Sequence, residues 1–294
     1  MKDQHFRTIA FQGMSGSYSD LACRMVYPAL ETLPSVSFEA AFQAVREKKA
    51  DLAMIPVDNT LAGRVADVHH LIPNGELYII REHFQQIRHC LLGLPGARLE
   101  DLTDVHSHIH ALPQCRKIIE ELRLNKHVVA DTAKAASDIR KWQDKTQAAI
   151  GSDLAAQIYK LEILKTDVQD AAHNTTRFLV FSRENSIPPL ERGRQYLTSF
   201  CFEVRNIPAA LYKALGGFAT NGVQMVKLES YVDKHFNVAR FFADVEGHIH
   251  EDSLQLAFEE LGFFAKRVVH LGTYPAHDFR NTLKDSAEAD AYSI

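Results

Sequence analysis

The chain of 294 residues is expected to fold as an α/β protein followed by a smaller α/β unit. Three observations carry this expectation. Short apolar runs of strand length alternate with segments whose apolar residues recur at helical spacing, which predicts layered sheets and helices. The segments Gly13–Ser17, Asn59–Gly63 and Ser107–Leu112 each follow a predicted strand, at the strand end where open α/β sheets bind ligands. From Tyr196 onward the predicted order becomes βαββαβ, the ferredoxin-like arrangement.

Taken in order, residues 7–12 read as a strand, and Gly13 and Gly16 punctuate the loop after it. Ser17 or Ser19 is placed to cap a helix carrying Leu21, Ala22, Met25 and Val26. Phe38, Ala41, Phe42 and Val45 fall on one helical face, and Asp51–Val57 is short and apolar enough for a buried strand. Leu77–Ile80 and Gln86–Gly93 read as strands, Asp104–Ser107 as a strand end and Gln114–Leu122 as a helix. Val128–Ala130 is a strand, Thr132–Trp142 a helix and Ala148–Ile150 a strand. Ser182–Leu190 is polar and then proline-containing, a linker between domains at 1–187 and 195–275. In the second domain Leu197–Val204 alternates as a strand, and Pro208–Thr220 is a helix opened by proline in its first turn. Val223–Ser230 and Val238–Val245 pair as strands, Asp252–Gly262 is a helix and Phe264–Leu271 the last strand. Residues 276–294 are polar and acidic without a packing pattern, and a flexible tail is expected.

The formal charge of −4 gives no basic field, which argues against nucleic acid or an anionic membrane as partner. No apolar run reaches the roughly 20 residues that span a bilayer, and the first residues lack the apolar stretch of a secretory signal. Cys23, Cys90, Cys115 and Cys201 are scattered, which reads as reduced thiols in a cytoplasmic protein. His106, His108 and His110 alternate, but no matching ligand set lies nearby, and no metal or other cofactor is expected. His69 and His70 read as helix surface, and Trp142 as a packing residue.

The run Asn174-Thr175-Thr176-Arg177-Phe178 carries the chemistry. Arg177 offers a permanently charged fork suited to a carboxylate, and Thr176 a neutral hydroxyl able to give a proton. By itself the run also reads as a Thr-rich turn entering a strand, with a surface arginine. It resembles the Asn-x-Thr-Arg-Phe signature of prephenate dehydratases, and three further blocks resemble that family in the same order. These are Ile9–Ser19, Ile55-Pro56-Val57-Asp58-Asn59-Thr60 (similar to Pro-Ile-Glu-Asn-Ser) and Ser107–Arg116 (similar to Ser-His-Pro-Gln-Ala-Leu).

The resemblance implies two α/β subdomains arranged like a periplasmic binding protein, with the chain crossing between them near residues 80–85 and 165–175. It implies decarboxylative dehydration of prephenate to phenylpyruvate in phenylalanine synthesis, with Thr176 as proton donor and Arg177 as carboxylate clamp. One charge pair at contact is worth about 4 kcal/mol at an effective dielectric of 20. Gly13, Ser15, Ser17, Asn59, Thr60, Ser107, Asn174 and Phe178 would complete the substrate site, the Gly13–Ser17 loop through its backbone N–H groups. Arogenate dehydration and a non-catalytic carboxylate sensor are the alternatives.

The βαββαβ segment resembles an ACT domain, which implies a phenylalanine effector and a homodimer or homotetramer. Its effector site would comprise Asn206, Pro208, Ala209, Ala210 and Leu211 with Leu228, Glu229 and Ser230. Three departures stand out. Ile109-His110 replaces Pro-Gln, Ala209 stands where the family carries glycine, and Tyr231-Val232 replaces Arg-Pro. Weakened or altered phenylalanine inhibition is therefore expected.

Overall fold

The computed structural model describes residues 6–65, 68, 71–72, 76–205, 207–232 and 238–282. Strand β1 (Thr8–Gln12) buries Ile9, Ala10 and Phe11 completely and pairs in parallel with β2 (Glu31–Ser35) and β3 (Leu52–Asn59). Helix α1 (Tyr18–Val26) begins at Ser17 and α2 (Phe38–Arg46) at Ser37, each serine hydroxyl accepting an N–H of the first turn. The buried face of α2 is Ala41, Phe42, Ala44 and Val45, the helical spacing seen in the sequence. A short β4 (Gly63–Arg64) folds back on β3. With β5 (Tyr78–Gln86) and β11 (Thr175–Ser182), the first sheet has the order β2-β1-β3-β11-β5.

The second sheet has the order β10-β6-β9-β7-β8, from β6 (Cys90–Gly93), β7 (Asp104–His108), β8 (Asn125–Val129), β9 (Gln147–Gly151) and β10 (Glu162–Lys165). Alternation along its strands feeds two cores. Leu91, Val105, Ala148 and Ile150 pack with Ile118 and Ile119 of α3 (Arg116–Glu121). Cys90, Leu92 and Ala149 pack with α4 (Thr132–Trp142) and α5 (Asp153–Tyr159). Gly16 sits at φ +93°, and a Cβ there would stand 2.9 Å from the Ala155 backbone, so glycine is needed for the close approach of α5.

The C-terminal sheet is antiparallel with the order β13-β14-β12-β15, from β12 (Tyr196–Val204), β13 (Met225–Val232), β14 (Val238–Glu246) and β15 (Ala265–Pro275). With α6 (Ala210–Thr220) and α7 (Asp252–Phe264), the order is βαββαβ, as expected. Its core is aromatic. Phe200 stacks on Phe218 at 5.5 Å and meets Phe258 edge-on at 4.8 Å, and Phe202 stacks on Phe241 at 5.1 Å.

The domain boundary differs from the one expected. One compact unit comprises residues 3–68 and 83–178; the other comprises 1–2, 69–82 and 179–294. The first part of β5 and the second half of β11 thus group with the C-terminal sheet rather than ending a first domain at residue 187. Close backbone approach explains this, since a Cβ at Gly272 would lie 1.9 Å from the Ile79 carbonyl oxygen. The tail expected to be loose from Ala276 is also anchored at its start. Arg280 grips Glu82 with two bonds of 2.7 and 2.8 Å, and the His277 N–H adds a third at 3.0 Å. The Glu82 side chain is fully buried.

Several local readings shift as well. Leu77–Ile80 and Gln86–Gly93 become β5 and β6, divided at residues 87–89 where the chain crosses between the two sheets. The return lies between Lys165 and Thr175. All four cysteines are free and buried. No helix among the described residues is long and apolar enough to cross a membrane. His69, His70, Asn206 and the end of the tail lie outside the described residues.

Candidate active site

A cavity of about 270 Å³ opens within the unit of residues 3–68 and 83–178. It gathers the segments that follow β1, β3, β7 and β8 and the start of β11, the strand ends at which an α/β sheet presents ligand groups. Its lining includes Gly13, Ser17, Asn59, Asn174, Thr176 and Phe178 from the expected set. It also includes residues that were not foreseen, among them Tyr18, His89, Gln114 and Asp131.

Thr176 is held by its neighbours. Asn59 Nδ2 donates to Thr176 Oγ1 and to Asn174 Oδ1, both at 2.9 Å. Asn59 Oδ1 in turn accepts the N–H groups of Leu61 and Ala62 at 2.9 and 2.8 Å, an Asx-type turn at the end of β3. Thr176 therefore receives a hydrogen bond on its oxygen and keeps its own hydrogen for the cavity. Behind it, Asn174 Nδ2 donates to Gln114 Oε1 at 2.8 Å, and His89 Nε2 lies 3.0 Å from the same oxygen. Tyr18 Oη meets His89 Nδ1 at 2.7 Å. Burial pushes the His89 pKa down and that of Tyr18 well up, so both are neutral groups at neutral pH.

Other expected site residues stand elsewhere. Arg177 alternates away from Thr176 along β11 and does not line the cavity; its guanidinium lies 3.8 Å from the Asp58 carboxylate. Arg177 thus stands on the Asp58 side of β11, outside the cavity lining. Ser107 is fully buried in β7 and its hydroxyl donates to the Ile150 carbonyl at 2.7 Å, so it fastens β7 to β9. Thr60 bridges chain segments, donating to the His173 carbonyl and accepting the Thr175 N–H.

Four of the five Gly13–Ser17 amides are likewise committed within the protein. Gly13 donates to the Ser35 carbonyl, Met14 to Asp131, Gly16 to Asp20 and Ser17 to the Met14 carbonyl. The Ser15 carbonyl accepts from Tyr159 Oη. Gly13 and Ser17 of this loop form part of the cavity wall. Asp131 does double work here, capping α4 through the N–H groups of Ala133 and Lys134 while holding Met14.

The three alternating histidines separate into two environments. His106 stacks on His127 at 4.6 Å and meets Trp142 edge-on at 4.8 Å, which is packing. His108 and His110 line the cavity with ring centres 5.2 Å apart. Burial, and then the neighbouring His110, push the His108 pKa down. None of the described residues lining the cavity is Lys or Arg. Among the described residues no three of His, Cys, Asp or Glu come together as metal ligands.

The relation to known proteins agrees with this arrangement. Residues 9–186 match the family described as prephenate dehydratase. The chain belongs to the prephenate dehydratase family. A bifunctional N-acyl-homoserine lactone acylase/prephenate dehydratase of Komagataeibacter europaeus is 49% identical over 276 residues, spanning 93% of this chain and 98% of that protein. Arogenate dehydratase/prephenate dehydratase 1 of Arabidopsis thaliana, a chloroplastic protein, is 36% identical over 283 residues, covering 91% of this chain and 71% of that one. The crystal structure of a prephenate dehydratase from Arthrobacter aurescens, in complex with L-Phe, superposes with a TM-score of 0.83 at 26% identity. It covers 98% of this chain and all of that one.

In the C-terminal unit, the expected effector residues lie in the turn before α6 and on β13. Ala209 takes the left-handed conformation, φ 57° and ψ 28°, at the start of α6. That conformation is one that glycine adopts without strain, which gives the alanine a backbone cost beyond its Cβ. Pro208 is exposed and Ala210 buried, and α6 has no side-chain cap. Leu228 and Ser230 are exposed on β13, Glu229 lies 3.5 Å from Lys227, and Tyr231 is buried.

Proposed function

We infer that this member of the prephenate dehydratase family converts prephenate to phenylpyruvate. The reading is carried by one observation, the Thr176 hydroxyl in the cavity with its oxygen held by Asn59. In the reaction the ring carboxylate leaves as carbon dioxide. The electron pair of the broken C–C bond enters the ring, and the C4 hydroxyl departs as water. Aromatisation drives the step, so the protein supplies orientation and one proton at the leaving oxygen. Thr176 gives that proton as charge develops, and hydrogen bonding to its oxygen within a low-dielectric site supports the transfer. Asn59 and Asn174 fix the donor's direction, and Phe178 offers an apolar wall to the ring. His108 and His110 offer ring N–H donors to the carboxylates, and Arg177 supports β11 from the opposite face through Asp58.

Direct assay of purified protein with prephenate and with arogenate, following ring aromatisation by ultraviolet absorbance, tests this reading. Turnover of arogenate alone would move the substrate to the amino acid, and turnover of neither would refute the dehydratase reading. A second activity is favoured by the 49% identity that extends over nearly the whole bifunctional acylase/dehydratase relative. Incubation with an N-acyl-homoserine lactone, scored by release of the fatty acid, tests it.

The C-terminal βαββαβ unit is read as an ACT domain through which phenylalanine regulates the enzyme in a cytoplasmic homodimer or homotetramer. The L-Phe complex of the Arthrobacter aurescens relative supports an amino-acid effector. Strained Ala209 and the loss of an arginine at Tyr231 are expected to weaken that response. Calorimetric titration with phenylalanine checks this, and tight binding with strong inhibition would refute it.

A further inference from the structure

The polar groups behind Thr176 form a chain whose hydrogen-bond direction is fixed from one end. Asn59 Oδ1 is held by two backbone donors, Leu61 and Ala62, so the amide cannot turn over without setting its NH2 against both. Asn59 Nδ2 must therefore face Thr176 and Asn174, and the Asn174 atom it meets must be the oxygen. Asn174 Nδ2 then points at Gln114, which must present Oε1. That oxygen carries no hydrogen, so His89 can meet it at 3.0 Å only with a proton on Nε2. His89 Nδ1 is left as an acceptor beside the Tyr18 hydroxyl at 2.7 Å, whose one hydrogen it shares with the Arg88 carbonyl at 2.9 Å. Asn174 is fully buried and His89 nearly so, which leaves little water to relieve a reversed bond.

We propose that Gln114 and His89 are positioning residues that brace Asn174, and through it Asn59, in the direction set by the Leu61 and Ala62 donors, the direction that frees the Thr176 proton. The proposal rests on the reading of Thr176 as proton donor. In the opposite direction an amide oxygen would face Thr176, whose hydrogen would turn inward and be lost to the leaving group. Burial keeps the His89 ring neutral, the state in which one ring nitrogen donates and the other accepts.

The test is the tautomer of His89, read by nitrogen-15 NMR of the full chain labelled at histidine and assigned with His89→Gln. The parent is expected to carry the proton on Nε2. Asn59→Asp puts an acceptor where Asn59 Nδ2 donates, and the carboxylate can still serve Leu61 and Ala62. Asn174 and Gln114 then turn over, and the His89 proton moves to Nδ1. Tyr18 is left to donate to the Arg88 carbonyl, 2.9 Å away. A proton on Nδ1 in the parent, or an unchanged tautomer in the folded variant, overturns the proposal. The parent measurement decides even if the variant fails to fold.

A kinetic arm uses Gln114→Met, which removes the shared acceptor. It is expected to lower kcat about tenfold with KM within about twofold. Gln114→Glu keeps an acceptor toward both neighbours and is expected to restore most of the loss. Parent-like kcat for Gln114→Met overturns the positioning role. If the parent does not turn over prephenate, the dehydratase reading fails, and the tautomer still decides the direction of the chain.

Discussion

Replacing Thr176 with alanine separates what its hydroxyl does for chemistry from what it does for the fold. Asn59 Nδ2 has two hydrogens and three acceptors in reach: Thr176 Oγ1 and Asn174 Oδ1 at 2.9 Å, and the Thr175 carbonyl at 3.4 Å. With the hydroxyl gone, both hydrogens still find an oxygen, so the loss is that of one ordinary hydrogen bond, about 1 kcal/mol. The missing methyl group adds about 0.8 kcal/mol. A cost of about 2 kcal/mol leaves a domain of ordinary stability folded. The loss of a positioned proton donor is worth ~10²-fold or more in kcat, about 2.7 kcal/mol. Thr176→Ala is therefore expected to be folded by circular dichroism, to bind prephenate with little change, and to turn it over at least ~100-fold more slowly. Thr176→Ser keeps the hydroxyl and is expected to retain much of the rate. A folded alanine variant with the parent kcat, or a serine variant as slow as the alanine one, would refute the proton-donor role.

Three further outcomes follow from the geometry. Arg177→Lys, acting behind β11 on Asp58 rather than on substrate, is expected to leave KM within about twofold; a tenfold rise would return Arg177 to the substrate. His108, neutral above its lowered pKa, must take up a proton to meet a dicarboxylate. KM is therefore expected to fall as pH drops below the ordinary histidine value of about 6.5, and His108→Gln should flatten that trend; a flat parent profile argues against the role. Arg280→Leu strands the fully buried Glu82 carboxylate with only part of its partners. It is expected to cost about 3 kcal/mol in urea unfolding, and an unchanged midpoint would contradict the anchored tail.

What the sequence disclosed follows the range of the interactions involved. Helix α4 is legible because Asp131 caps it, and Ala133, Ala136 and Ile139 mark one buried face within a few residues. The buried run of β3 and the βαββαβ order are local patterns of the same kind. β2 escapes notice because it is an edge strand carrying Pro34, with too little apolar alternation to stand out. β5 extends past the apolar run Leu77–Ile80 through the charged Arg81-Glu82-His83, and Glu82 is made tolerable inside a strand by Arg280, nearly 200 residues away.

The candidate site divides in the same way. Asn59, Asn174 and Thr176 belong to motifs that point to each other. His89 and Tyr18 carried no local signal, because their meaning lies in hydrogen bonds between distant strands and loops. Arg177 stands outside the cavity lining for a simple reason: neighbours on a strand face opposite ways, and Thr176 takes the cavity side of β11.

The four buried cysteines give the molecule an internal clock. Burial raises every one of these thiols, and Cys115 and Cys201 stand at about 12. At neutral pH the reactive thiolate of those two is therefore scarcer than thiol by about 10⁵-fold. An alkylating reagent added to the native enzyme can advance only when the chain opens and exposes the sulfur. Cys23 times the opening of α1 and Cys115 the start of α3, while Cys201 times the C-terminal sheet. Labelling rates resolved by mass spectrometry would thus rank the local opening free energies of the two units without any engineered probe.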